Sequence, residues 1–172
     1  MNRSLEFIAV LLAAVVIALA VYLVWKKRDA GTQGFDERQL TLRAQGYRKS
    51  FFVTLVAEVA ALLLVEMEII PLACATLAFF IAVMIGIVTF AVFCIMKDVF
   101  FRIGEKGTYY LVLCAAVAVM DGIMAITRFA DGSILENGLP TFESCNSLVV
   151  ALSFIVIFAA LLARRIRGEE AE

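Results

Sequence analysis

Residues 51–96 read FFVTLVAEVAALLLVEMEIIPLACATLAFFIAVMIGIVTFAVFCIM, a run of 46 positions whose charges are Glu58, Glu66 and Glu68. A membrane-crossing helix takes roughly 20 apolar residues, because the hydrocarbon core is about 30 Å thick and each residue rises about 1.5 Å. The run is too long for one crossing. Its break falls at Glu66, Met67, Glu68 and Pro71, so the stretch predicts a tight helical hairpin with spans over 51–67 and 72–96. Pro71 suits the first turn of the departing helix, where a missing N–H costs nothing.

Working outward, residues 7–25 form a charge-free apolar stretch, 108–126 form another interrupted by Asp121, and 147–163 form a last one followed by Arg164, Arg165 and Arg167. The expected fold is all-α: one integral membrane domain over residues 1–172, built as a bundle of five transmembrane helices. Composition agrees, since 63% of the 172 residues are apolar, and soluble domains hold nearer half.

The net charge of −1 conceals a sorted distribution. Short cytoplasmic loops are enriched in Lys and Arg. Segment 26–50 carries Lys26, Lys27, Arg28, Arg38, Arg43, Arg48 and Lys49; segment 97–107 carries Lys97, Arg102 and Lys106; the tail carries Arg164, Arg165 and Arg167. Thirteen of the 15 basic residues thus share one side, and Arg3 and Arg128 remain on the other with Glu6, Glu66, Glu68, Asp131, Glu136 and Glu143. The expected topology is N-terminus outside and C-terminus in the cytoplasm of a cell (plasma) membrane. Tyr22, Trp25, Tyr109 and Tyr110 mark the cytoplasmic ends of spans, as interfacial aromatics do. A cleaved signal peptide with Ala18 and Ala20 at its site is the weaker reading of span 7–25: the apolar region is too long and its positive charge follows it.

Within the basic segment, Asp36 followed by Gln39 has capping-box spacing, and Phe35 with Leu40 has staple spacing. A helix is expected to start near Glu37 and run into Phe51, making segment 26–50 partly helical, with Gly46 weakening it by roughly 1 kcal/mol relative to Ala. Asp36-Glu37-Arg38-Gln39, then Arg43-Ala44-Gln45-Gly46-Tyr47-Arg48, then an aromatic start to a span, resembles a pattern of small multi-span bacterial membrane proteins of unknown function, some encoded beside helix-turn-helix regulators. The resemblance covers about 17 residues. It implies a bacterial inner-membrane origin and transfers no catalytic residue.

Helices in lipid associate through close packing at small residues. Cys74, Ala78, Ala82 and Gly86 draw one ridge at a spacing of four, and Cys114, Ala118 and Gly122 draw a second. Both are expected helix-packing faces, with each other as candidate partners.

Ionisable groups inside spans cost about 2.5–3.5 kcal/mol on insertion scales. Glu58, Glu66 and Asp121, with Arg128 two turns beyond Asp121, are therefore the candidates for proton or ion binding. Glu58 sits roughly 12 Å above the cytoplasmic start of its span, Glu66 roughly 24 Å, and Asp121 roughly 20 Å above Thr108. The acids are either protonated, hydrogen-bonded to neighbours such as Thr54 or Thr76, or ion-binding, and Arg128 is within reach of Asp121, Glu66 or Glu68. The competing reading makes Glu58 a neutral packing acid and Asp121 part of an outer ion pair.

The chain has no His and 4 Cys. Imidazole metal sites and His-dependent nucleophiles are excluded. No C-x-x-C occurs. Cys94 and Cys114 read as packing residues, whereas Cys74 and Cys145 both fall near the outer ends of spans, where an oxidising compartment permits a disulfide. Asp121-Gly122 with Ala125 begins like the D-G-x-x-A-R metal signature of membrane phosphatidyl-alcohol transferases, but Ile126 replaces the Arg. Ser144 and Ser147 lack a base, and phosphate-loop, nucleophile-elbow and dinucleotide motifs are absent. The expectation is a non-enzymatic protein without metal or cofactor, acting as a small membrane subunit, sensor or immunity-type interaction factor. Its expected partners are the lipid bilayer and either another protein or further copies of itself, with no nucleic acid. Arg38, Arg43, Arg48 and Lys49 are the expected partner or lipid contacts. The alternative is a proton- or cation-coupled small transporter or channel subunit.

Overall fold

The computed structural model describes residues 35–101 and 107–169. The expected span over 7–25 lies outside the described residues, as do Arg3, Lys26, Lys27, Arg28, Arg102 and Lys106.

Helix α1 runs Glu37–Glu66, 30 residues without a break. Its start is fixed as the sequence predicts: the Asp36 N–H donates to Gln39 Oε1 at 3.3 Å, and the Leu40 N–H closes the first turn on the Asp36 carbonyl at 2.9 Å. At about 1.5 Å per residue it is about 45 Å long, so the basic extension and the apolar segment form one rod. It ends in a Schellman motif. The Ile69 N–H bonds the Leu64 carbonyl and the Glu68 N–H the Val65 carbonyl, both at 3.0 Å, with Glu68 in the left-handed region at φ 58°.

Pro71 lies one position outside the next element. It precedes a 3-10 turn, Leu72–Cys74, that leads into α2, Ala75–Met96. Helix α2 closes in the same motif, with Val99 N–H on the Cys94 carbonyl at 2.9 Å, Asp98 N–H on the Ile95 carbonyl at 3.2 Å and Asp98 at φ 58°.

Helix α3 spans Thr108–Ala130, four residues beyond the expected end. A tight turn through Asn137 and Gly138 carries the paired Glu136 and Leu139 and leads to α4, Phe142–Glu169. That helix begins five residues before the expected Ser147. Its N-terminus is held by a reciprocal hydroxyl pair: the Thr141 N–H donates to Ser144 Oγ at 3.0 Å and the Ser144 N–H to Thr141 Oγ1 at 3.4 Å. A polar first turn, Phe142-Glu143-Ser144-Cys145-Asn146, is thereby helical despite its low hydropathy.

Helix α1 packs on α2, α2 on α4, and α4 on α3. The order in space is a row, α1–α2–α4–α3, with no extended contact between α1 and α3 or between α2 and α3. The core lies where α2, α3 and α4 meet, around Ala91, Ile95, Phe101, Cys114, Ile157 and Leu161. Ile95 is 0% and Val99 2% exposed, which puts the tightest packing at the basic end of the molecule.

Three helices are long and apolar enough to cross a membrane: Leu72–Met96, Thr108–Ala130 and Phe142–Arg167, with mean hydropathies of 2.8, 2.0 and 2.5. Among the described residues, these are three of the four long helices. The apolar half of α1 is bounded by Lys49 and Glu66 and interrupted by Glu58, which separates it from the other three. Exposed apolar side chains such as Phe51, Leu55, Val56, Leu72, Val119 and Met120 cover the outside of the row. A surface of that kind is matched to lipid.

Candidate functional site

The seam between α1 and α2 is tightly closed at two glycines. On α1, Gly46 and Ser50 are buried and Thr54 and Glu58 half-buried, all at a spacing of four. Facing them are Gly86, Phe90, Phe93 and Cys94 of α2. A Cβ on Gly86 would overlap the Thr54 hydroxyl and lie 3.0 Å from Thr54 Cβ, and a Cβ on Gly46 would lie 2.9 Å from Phe93 Cδ1 and 3.3 Å from Cys94 Sγ. The Tyr47 and Phe90 rings stack with centroids 4.3 Å apart. Polar atoms in the seam turn back onto the backbone: Ser50 Oγ donates to the Tyr47 carbonyl at 3.0 Å, and Thr54 Oγ1 to the Ser50 carbonyl at 2.8 Å.

The ridge Cys74, Ala78, Ala82 and Gly86 is accordingly an inner face, with Ala78 half-buried and the other three buried. Its upper part meets α1. It does not meet the second ridge, because α2 and α3 are not neighbours in the row. On α3, Cys114 is buried and Ala118 half-buried, while a Cβ on Gly122 would find nothing within 4 Å. The small-residue partner on α1 escapes a sequence reading because Gly46 belongs to the basic segment and Thr54 to the span. Read across that boundary, the four-residue spacing of Gly46, Ser50 and Thr54 is the signal that finds it.

The intramembrane acids do not converge. Glu58 lies on the α1 seam face, Glu66 is exposed at the end of α1, and Asp121 is half-buried on α3, which packs mainly on α4. Among the described residues none of the three accepts a hydrogen bond or joins an ion pair. Thr54 is committed to Ser50, and Thr76 is exposed. Arg128 reaches neither Asp121 nor Glu66 nor Glu68; its Nη1 donates to Asn146 Oδ1 of α4 at 3.5 Å.

The loop after α2 is gripped from both sides. Gln39 Nε2 donates to the Asp98 carbonyl and Arg43 Nη1 to the Val99 carbonyl, each at 3.4 Å. From α4, Arg164 pairs with the Asp98 carboxylate and lies 4.8 Å from the Phe101 ring centroid. Of the four basic residues expected to meet a partner or lipid, two serve within the chain. The Arg43 guanidinium stacks 4.1 Å from the Phe35 ring centroid, and Lys49 Nζ stands 4.5 Å over the Phe93 ring. Arg38 and Arg48 are exposed.

All four cysteines are buried with free thiols. The Cys74–Cys145 bridge that the sequence permits is absent from this arrangement: Cys145 Sγ donates to the Ile134 carbonyl at 3.6 Å and accepts from Ser144 Oγ at 3.5 Å, so it is engaged with the α3–α4 loop. No group of three or more His, Cys, Asp or Glu among the described residues could hold a metal ion. Comparison with protein-family models, curated proteins and solved structures finds no match to the chain.

Proposed function

We propose that this is a non-enzymatic multi-pass protein of the cell membrane that acts through association, as a small membrane subunit, sensor or immunity-type factor. In this reading the apolar half of α1 and residues 7–25 also cross, giving five spans with the N-terminus outside and the C-terminus in the cytoplasm.

One observation carries the choice of association over transport. The row order sets the helices bearing Glu58 and Asp121 at opposite ends, with α2 and α4 between them. A proton or cation passing between the two acids would cross the apolar interior of both helices, where no ionisable side chain waits to relay it. Each end helix instead keeps an outward apolar face with which to meet another chain. The alternative, a proton- or cation-coupled transporter or channel subunit, requires several copies to enclose a polar path.

Affinity purification of the full chain in mild detergent tests the reading. The expected result is a partner recovered in fixed stoichiometry; a lone, monodisperse monomer would overturn it. In proteoliposomes, a pH-driven flux that disappears in both Glu58→Gln and Asp121→Asn would select the transport alternative.

A further inference from the structure

Side-chain contacts fix how far each helix of the row is slid along its neighbour. Thr54 lies against Gly86, and Gly46 against Phe93 and Cys94. Lys49 of α1 therefore stands level with Ala91 of α2, and Glu66 with Cys74. The Phe80 and Phe142 rings meet with centroids 5.1 Å apart, and Ile95 shares a core with Ile157 and Leu161. Helix α4 thus runs parallel to α2, with Glu143 level with Phe80 and Arg164 level with Val99 and Phe101. Cys114 belongs to the same core and Arg128 reaches Asn146, so α3 is antiparallel to α4, with Thr108 beside Arg164 and Arg128 level with Ala82.

The apolar band of each helix ends at a charge. The limits are Lys49 and Glu66 on α1, Glu68 and Lys97 on α2, Glu143 and Arg164 on α4, and Arg128 on α3, whose other end is Thr108. On a common scale they do not line up. At the basic end the limit moves from the level of Ala91 on α1, through Lys97 on α2, to the level of Phe101 on α4 and α3, a shift of about 14 Å at about 1.5 Å per residue. At the opposite end it moves the same way, from the α1–α2 hairpin to the level of Phe80 and Ala82 on α4 and α3, by about 8–12 Å. Two limits that move together are a slide of the band along the row. The exposed tyrosines follow it: Tyr47 on α1 is level with Phe93, and Tyr109 on α3 with Phe100. Tyrosines of this kind mark the edge of the hydrocarbon, and here that edge steps by about 10 Å.

A flat slab of hydrocarbon meets a sliding band by crossing the row obliquely. Bending both leaflets to follow the step instead carries an elastic cost that leaning avoids. Neighbouring helix axes lie about 8–10 Å apart, so a slide of about 12 Å over three spacings calls for a lean of about 25°, within the range that membrane helices adopt. We propose that the row sits in a lipid bilayer with its helix axes leaning about 25° from the membrane normal, in the plane of the row. The surface covered by lipid then runs obliquely from residues 51–65 of α1 to residues 108–127 of α3. The first turns of α1 and the loop after α2 stand clear of the hydrocarbon, so the bonds from Gln39 and Arg43 to the Asp98 and Val99 carbonyls are made outside it. This inference rests on the membrane-crossing part of the proposed function and is independent of association.

The test is tryptophan quenching in vesicles of phosphatidylglycerol and phosphatidylcholine, the latter brominated at mid-chain. The full chain carries Trp25→Phe, which removes its 1 native Trp. Ala44→Trp on α1 and Val112→Trp on α3 are level with each other toward the basic end, and Leu62→Trp on α1 and Phe129→Trp on α3 toward the opposite end. All four positions are exposed. Val112→Trp is quenched about threefold more strongly than Ala44→Trp, and Leu62→Trp about threefold more strongly than Phe129→Trp, because one indole of each pair lies in the hydrocarbon core and the other beyond it. Equal quenching within both pairs, or deeper quenching of the same helix at both ends, would overturn the lean and leave the crossing intact. Indifference to bromine at all four positions would overturn the crossing, and the lean with it. Polarised infrared spectroscopy of the unaltered chain in oriented bilayers needs no variant: a mean helix lean of about 25° is expected, and one below about 10° would overturn the proposal.

Discussion

Replacing Gly86 with Ala is the sharpest probe of the α1–α2 seam. The new methyl would overlap the Thr54 hydroxyl and stand 3.0 Å from Thr54 Cβ. Two adjustments are open, and both cost. Thr54 can rotate, which breaks its 2.8 Å bond to the Ser50 carbonyl, a loss of about 1 kcal/mol. Rotation does not move Cβ, so the helices must also separate by several tenths of an ångström, and overpacking of this kind costs about 1–3 kcal/mol. Against the sum stands a helix-propensity gain of up to about 1 kcal/mol for Gly→Ala. The expected net effect is destabilisation by about 1–3 kcal/mol, read by denaturant titration in mixed micelles with far-UV circular dichroism. In a Thr54→Gly background the obstacle is gone, and Gly86→Ala becomes neutral or stabilising. The double-mutant cycle therefore returns a coupling of about 2–3 kcal/mol, at the upper end for residues in contact. In Thr54→Ser, which keeps the hydroxyl and Cβ, the penalty persists. Gly86→Ala changing stability by less than about 0.5 kcal/mol in all three backgrounds would refute the seam. Gly122→Ala is the internal control: with open space around it, it gains up to about 1 kcal/mol.

Other outcomes follow from single features. Glu68→Gly relieves a left-handed residue at the end of α1 and raises stability by about 1 kcal/mol in the same titration; no gain would mean that the turn is not closed as described. Asp121→Leu, near the middle of α3, favours membrane insertion of that helix by about 3 kcal/mol in a glycosylation-mapping assay. An unchanged insertion ratio would show that the acid lies outside the hydrocarbon. Non-reducing mass spectrometry after denaturation and alkylation finds Cys74, Cys94, Cys114 and Cys145 all modified, with no bridged peptide joining Cys74 to Cys145.

Local chemistry was the legible part of this molecule. The charges and proline between 66 and 71 mark the hairpin, and Asp36 with Gln39 marks the start of α1, because both signals act over a few residues. Hydropathy misplaced the start of α4, since Glu143, Ser144 and Asn146 read as loop until the Thr141–Ser144 hydroxyl pair supplies the missing cap. Gly46 reads as a weakness in its helix, yet the structure makes it a contact with Phe90, Phe93 and Cys94. Arg43 and Lys49 count toward a basic surface in the sequence, and only the folded chain brings Phe35, Phe93 and Val99 to them. The order of helices was hidden for a general reason: in lipid, apolar side chains do not drive helices together, so the pattern of Leu and Val says which segments cross and little about which ones touch.

That order has a consequence for where another chain would bind. The most completely buried side chains, Ile95, Val99 and Cys94, lie toward the basic end. Among the three helices of membrane-crossing length, α3 is the least covered. Only 11% of its apolar stretch is buried inside the chain, against 33% for α2 and for α4. It is also the helix that carries Asp121, with no hydrogen bond among the described residues, next to Gly122, where an added Cβ would find nothing within 4 Å. In α1 the same ingredients are consumed: Gly46 and Thr54 are already closed against α2, and Glu58 follows on that occupied face. A half-buried acid beside an open glycine on a weakly covered helix is the combination that gains most from a neighbour, since one contact would both cover apolar surface and supply a donor to the carboxyl group. Crosslinks from cysteines placed at Val119 and Ile123 should therefore join α3 to a partner or to a second copy before crosslinks from Phe52 or Val56 on α1 do. The reverse order would mean that lipid alone covers α3.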